Sequence, residues 1–320
     1  MIKYRWLLVW IAAYVINDLS HTLFELNTHS SLELKTIILN GLMREEVTDL
    51  SKAREYRLRI YWEASVLGSL IAYLATCVWG IRTYLRCVGI TLRHPIMLVG
   101  LGTIAYELLR IGTSGEDSAT FNTIFCTTFE ALEHSPYVST DFMVEVTFLI
   151  KLINVLAVCS PGILMMGISA LLTIPDLERR PSLDHLIERD SRIDQSVLVG
   201  SLMMLMGLVH MGCWMDWPVG IWSNSDLKTT VMALTASVYA YWGISFSIML
   251  LLVYGGSKWV WKMTVIEILS INHPNVDPHH FISEHDLGFR IRRHLPHALA
   301  IVLPFLSSLT GSGSNILGMH

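Results

Sequence analysis

The chain has 320 residues, of which 52% are hydrophobic and 16% charged, and it carries a net charge of -4. A chain this apolar and this poor in charge does not make a soluble globular domain, and the negative balance leaves no case for nucleic-acid binding. What remains is an all-α polytopic bundle of about six transmembrane helices. The first apolar run, residues 6–24, has the basic flank and apolar core of a signal sequence. It lacks a small-x-small cleavage site, so an uncleaved span is expected. A polar connection, 25–60, follows, with balanced charges that read as one or two surface helices. Span two, 61–84, carries Ala64, Gly68 and Ala72 at intervals of four, a small-residue stripe that lets helix backbones approach. Span three, 95–112, leads into a loop, 113–141, and no lysine or arginine occurs between Arg110 and Lys151.

The fourth apolar stretch, 142–174, is roughly 50 Å long as helix, against about 30 Å of hydrocarbon. It contains Ser160-Pro161-Gly162. Proline removes a backbone donor and crowds the preceding turn, so a broken span kinked near Pro161 is expected, continuing along the interface. Span five is 196–214, and the turn after it places Trp214, Trp217 and Trp222 where an aromatic belt would sit. Span six is 229–255. The first 255 residues therefore read as a six-helix membrane domain, and 256–320 as a cytoplasmic or interfacial C-terminal segment. Its last apolar run, 295–309, is interrupted by Pro304 and reads as a re-entrant or interfacial helix. Asp277-Pro278 reads as a helix start.

With the N-terminus inside, the inner segments hold 2, 3, 4 and 5 basic residues and the outer loops 6, 0 and 1. The long first outer loop runs against the rule, but the reverse orientation would put the arginine-free loop inside. The expectation is a multi-pass protein of the inner (cytoplasmic) membrane with both termini cytoplasmic.

Ionisable residues inside the spans are costly in hydrocarbon and face a partner or a hydrated cavity. At about 1.5 Å per residue, Asp18 and His21 lie roughly 18 to 22 Å from the inner edge, with Glu107 and Arg110 at a similar depth. Lys151 comes out roughly 16 Å up and His210 roughly 21 Å. Together with Pro161 these residues form a candidate substrate or ion pathway; the plainer alternative is a set of interhelical ion pairs. Glu107 and Arg110 are spaced to pair with each other, and Lys151 needs a carboxylate, for which Asp18 or Glu107 is the natural candidate. His210 and Cys213, with methionines nearby, are soft enough for copper or haem iron, but only a few of them share a face. The histidines at 273, 279, 280 and 285 lack the spacings of membrane di-iron enzymes. No phosphate loop, nucleophile elbow or HExxH motif occurs, so no catalytic residue and no cofactor is predicted. The five cysteines show no metal-finger spacing, though Cys126 and Cys213 fall on one side and are a candidate pair. Arg179, Arg180, Arg290, Arg292 and Arg293, with the arginines at 189 and 192, read as contacts to lipid headgroups or a docking partner.

The proline-interrupted span, the loop with Arg179-Arg180 and Arg189-Asp190-Ser191-Arg192, and the span ending in Trp217-Pro218-Val219 resemble inner-membrane proteins of conjugative elements. The resemblance covers residues 142–255. It implies membership of a transfer or secretion apparatus and carries over no functional residue. Three functions are thus open: a scaffold or assembly subunit partnered by lipids and other membrane subunits; a small transporter or channel using the outer polar layer; and a metal- or haem-dependent membrane enzyme.

Overall fold

The computed structural model describes residues 4–42, 48–88, 90–113, 118–173, 182–222, 224–285, 287 and 291–309. Among them the chain is helical throughout. The order is α1 (Trp6–Glu25), α2 (Thr28–Leu42), α3 (Asp49–Cys87) and α4 (Ile90–Thr113). A π-helical turn, Phe121–Cys126, runs directly into α5 (Thr127–Glu133). Then come α6 (Thr140–Leu172), α7 (Leu183–Asp216), a 3-10 turn (Trp217–Gly220), α8 (Ser225–Asn272), α9 (Pro278–Glu284) and α10 (Ile291–Leu309). Starts are set by side-chain caps. Thr48 and Ser51 form a reciprocal capping box on α3, while Ser139, Ser182 and Asn224 accept from the first-turn N–H groups of α6, α7 and α8. Asp277 caps α9, with Pro278 in its first turn.

Six helices, α1, α3, α4, α6, α7 and α8, are long and apolar enough to cross a membrane. Each coincides with one of the spans read from the sequence, and the fold is an all-α multi-pass membrane bundle. Below, the near side is the one holding the start of α1 and the far side the one holding its end. On the far side sit α2, the π-turn, α5 and the 3-10 turn; α9 lies on the near side.

Several expectations are corrected. Helix α6 is continuous through Pro161 for its 33 residues. One lost hydrogen bond, to the Ala157 carbonyl, does not break a helix whose following turns are buried against its neighbours. The packing stripe on α3 is rotated from the one expected: Ala64 is exposed, and Trp62, Ser65, Ser69, Ala72, Thr76 and Gly80 are buried. Small hydroxyl side chains can turn back to their own helix, as Ser65 does to Trp62 O and Thr76 to Ala72 O, and so pack as closely as alanine. The closest crossing is between α3 and α6. A Cβ on Gly80 would lie 2.6 Å from the Ile163 carbonyl, and one on Gly167 3.0 Å from the Gly80 carbonyl.

Trp214, Trp217 and Trp222 are not an interfacial belt; they are 2%, 0% and 1% exposed. The 3-10 turn folds back on α3, so that Trp217 stacks on Trp62 at 4.8 Å between ring centres and donates from its indole to Glu55 at 2.9 Å. Buried Glu55 is also paired with Arg59 at 2.8 Å, and Arg59 in turn lies 4.7 Å over the Phe142 ring. Gly220 is required by that fold-back, since a Cβ there would stand 2.8 Å from the backbone of Glu55.

Arg189 is not a headgroup contact. It is buried, donating to the Leu171 and Thr173 carbonyls at 3.1 and 2.6 Å and to the Cys87 carbonyl at 2.9 Å. It caps the near ends of α6 and α3 together. Beside it Lys258 of α8 reaches Asp190 at 2.9 Å and Asp194 at 2.7 Å, and Tyr254 donates to Asp194 at 2.9 Å. The boundary expected at 255 falls inside α8, which runs on as one helix to Asn272. Helix α10, expected as a re-entrant or interfacial helix, packs into the bundle. It enters from the near side against α7 and α8, with Ser201 Oγ donating to the Ala300 carbonyl and Phe305 N–H to Ser247 Oγ. Arg179, Arg180 and Arg290 lie outside the described residues; Arg292 and Arg293 fall in the first turn of α10, and their side chains are not described.

Lys258→Met is expected to lower folded stability by about 3–5 kcal/mol, because it leaves two buried carboxylates uncompensated. Thermal unfolding in detergent measures this, and adding Asp190→Asn and Asp194→Asn to the same chain should recover most of the loss.

Candidate functional site

Helix α1 packs along α8 and α4 packs along α6, while α1 and α4 barely touch. The space behind that seam is a cavity of about 1110 Å³. Small-molecule sites range over roughly 300–1,000 Å³, so this one lies just above that range. Asp18, His21, Glu107, Arg110, Lys151, Pro161 and His210 all line it, contributed by α1, α4, α6 and α7. The walls change along its length. Toward the far side they carry these charges; toward the near side they are apolar, with Leu164, Ile168 and Val197 at the floor.

The seam itself is closed by polar contacts. Asn17 Nδ2 donates to Glu107 Oε1 at 3.2 Å, and Arg110 pairs with Glu107 at 2.6 Å and reaches Asp18 at 3.8 Å. Tyr14 meets Tyr106 edge-on at 5.9 Å. Glu107 and Arg110 are therefore the self-paired couple their spacing implies. Lys151, however, takes neither Asp18 nor Glu107 as partner. Both carboxylates are held by the Arg110 guanidinium, whose planar fork can serve two acceptors. Among the described residues Lys151 forms no ion pair, although it lies roughly 16 Å along α6 from its far end. His21 packs on Trp242 at 4.8 Å, and the buried Trp242 indole N–H has no acceptor among the described residues. Trp242 also lines the cavity. Lys151, which is exposed, and the Trp242 indole thus offer donors to the same space, with no acceptor for either among the described residues.

His210 hydrogen-bonds through Nδ1 with Ser65 Oγ at 3.2 Å, which accounts for one ring nitrogen. Among the described residues no three His, Cys, Asp or Glu side chains gather as a metal would require. Cys126 and Cys213 are both free. They are engaged separately, Cys213 with Ser65 and Cys126 with Lys35 and Glu130. At Pro161 the unbonded carbonyl belongs to Ala157, and both residues line the cavity.

The far mouth is covered by residues 118–133, read from the sequence as loop. Phe121, Phe125 and Phe129 of this cap line the cavity. Their spacing of four was the helical signal available in the sequence. Glu25, at the end of α1, anchors the cap's start by accepting from Ser118 Oγ at 3.0 Å and the Ala119 and Thr120 N–H groups at 2.6 and 3.2 Å. Trp214 donates to the Ile124 carbonyl at 2.8 Å within the π-turn, a geometry frequent at functional sites. Lys35 of α2 then pairs with Glu130 at 2.6 Å and donates to Cys126 Sγ at 3.0 Å. Burial works against the Glu130 charge, but the hydrogen bonds from Cys126 and Lys35 hold its carboxyl below the usual range. Burial and the bond to Glu130 push the Cys126 thiol up.

Comparison with models of protein families, with curated proteins and with solved structures finds no match to this chain.

The Cys126 thiol is expected to alkylate slowly at neutral pH. Glu130→Gln should raise that rate several-fold, as it removes the negative charge that holds the thiol proton and the ion pair to α2; timed maleimide labelling of protein in mild detergent measures it. The sign on acidification follows. A carboxyl held low stabilises the cap above its unfolded pKa and loses that contribution as pH falls through the lower folded value, so limited proteolysis of the cap should accelerate below about pH 4.

Proposed function

We propose that this protein binds and moves an amphipathic molecule taken from the far leaflet, as a small transporter or carrier. The observation that carries the reading is the two-ended cavity. Its far half offers Lys151 and the Trp242 indole, donors without an acceptor among the described residues, and its near half is apolar. A head group bearing acceptor oxygens fits the first and a hydrocarbon portion fits the second. The α1–α4 seam is the natural entry, since the two helices barely touch and side-chain contacts such as Asn17–Glu107, Arg110–Asp18 and Tyr14–Tyr106 close it. In a hydrocarbon setting a donor without an acceptor is costly, so a ligand that supplies the acceptor is favoured. By the distribution of basic residues, the near side is taken as the cytoplasmic face of an inner membrane.

A second reading, an integral subunit of a larger assembly such as a transfer or secretion apparatus, draws on α4. Only 11% of its apolar window is buried, and Gly102 and Gly112 face open space. Glycine weakens a helix and is retained in spans where another backbone comes close. On this reading α4 is the face a partner helix covers.

The test is extraction in mild detergent, release of bound molecules into organic solvent, and mass spectrometry. Wild type should retain an amphipathic molecule that Lys151→Leu loses by roughly ten-fold or more, with Asp18→Asn weakening retention less, and with protein abundance unchanged in both. Equal retention by Lys151→Leu sinks the carrier reading. Loss of abundance alone would favour structural ion pairs, and recovery of a stoichiometric protein partner would favour the assembly reading.

A further inference from the structure

We infer a second site, on the opposite side of the bundle from the cap, that holds the headgroup of an anionic phospholipid. A pocket of about 290 Å³ lies between the near end of α3 and the first turns of α7. Arg82 and Arg86 line it from α3 and Arg192 from α7, with Glu188 as the single carboxylate among the described lining residues. Three guanidiniums against one carboxylate leave a surplus of two positive charges. Glu188 is paired with Arg192, which grips one of its oxygens through Nε at 3.1 Å and a terminal nitrogen at 2.7 Å. Arg82 and Arg86, one turn apart and both exposed, form no ion pair among the described residues. Thr83 and Ser191 add hydroxyls to the lining.

Position selects a lipid rather than a soluble anion. The pocket sits where two lipid-facing stripes end. On α3, Val78, Ile81 and Leu85 are exposed up to the level of the arginines, and on α7 Leu198 and Leu202 begin the exposed apolar face just beyond them. Trp79 lines the pocket as well, an amphipathic ring suited to headgroup depth. A phosphodiester held by the guanidinium forks would therefore lay its acyl chains along Ile81, Leu85 and Leu198. Basic pockets between spans at a membrane face recognise anionic lipids in this way. The site shares no lining residue with the cavity described above, so it stands or falls separately.

The experiment places the full chain in phosphatidylcholine nanodiscs with and without phosphatidylglycerol, and counts retained lipid by native mass spectrometry. Wild type should retain phosphatidylglycerol over phosphatidylcholine, and Arg82→Gln and Arg86→Gln should each weaken that preference roughly five-fold. Glu188→Gln, which raises the surplus charge without removing a guanidinium, should strengthen it. That variant keeps the test open should the arginine variants fold poorly. No preference for phosphatidylglycerol in wild type, or an unchanged preference in both arginine variants, overturns the inference. So does competition by inorganic phosphate at the same concentration as the lipid, because it assigns the pocket to a soluble anion.

Discussion

Arg189 holds the near ends of three helices from one position. Its guanidinium, buried on α7, meets the last carbonyls of α6 and the terminal carbonyl of α3. Those carbonyls have no intrahelical donor, and at the edge of a membrane they would otherwise need water or lipid. One residue further along, Asp190, and one turn beyond it, Asp194, bring in α8 through Lys258. Buried ion pairs are weak contributors to net stability but strong specifiers, because an incorrect register strands a charge. Their placement on consecutive positions of α7 makes that helix the post against which α3, α6 and α8 are registered.

The cavity follows from what those ties leave out. Helices α3, α6, α7 and α8 are locked to one another at the near end and drawn together at the Gly80–Gly167 crossing. Helices α1 and α4 have no share in that network. Helix α1 lies mainly on α8, with Trp10 also donating to Ser169 of α6, and α4 mainly on α6, with Tyr84 of α3 donating to the Arg93 carbonyl; the groove between α1 and α4 is bridged by the polar contacts around Glu107 and Arg110. The bundle is therefore stiff on one side and divided on the other. The covering cap belongs to the divided side, held by Glu25 of α1 and Lys35 of α2 through charge-assisted bonds that act at the rim and not in the core.

Aromatic residues divide in the same manner. Trp62, Trp214 and Trp217 pack face and edge against one another around Glu55, a buried carboxylate that only Arg59 and an indole N–H make tolerable. Trp242 has no such acceptor and stands against His21 at the cavity wall. Trp214 and Trp217 have acceptors, whereas the Trp62 indole N–H, like that of Trp242, has none among the described residues; of these two only Trp242 lines the cavity.

Much was legible without coordinates. Span number and placement follow from runs of apolar residues, because hydrocarbon admits only helices whose backbone bonds are internal. The layer of Asp18, His21, Glu107, Arg110, Lys151 and His210 follows from depth along those spans, since residue rise is constant along a helix. Other features were decided only by tertiary contacts. Arg189 and Arg192 sit three apart in one polar stretch, and nothing in their composition says that one is buried among helix ends while the other faces a pocket. The tryptophans after α7 look like a belt until the 3-10 turn carries them inward. That Lys151 takes neither Asp18 nor Glu107 could not be known until Arg110 was seen to hold both. Pattern along the chain reports which groups must avoid lipid, whereas which of them meet one another depends on helix rotation and crossing, set by close approaches such as Gly80 on Gly167 that no periodicity encodes.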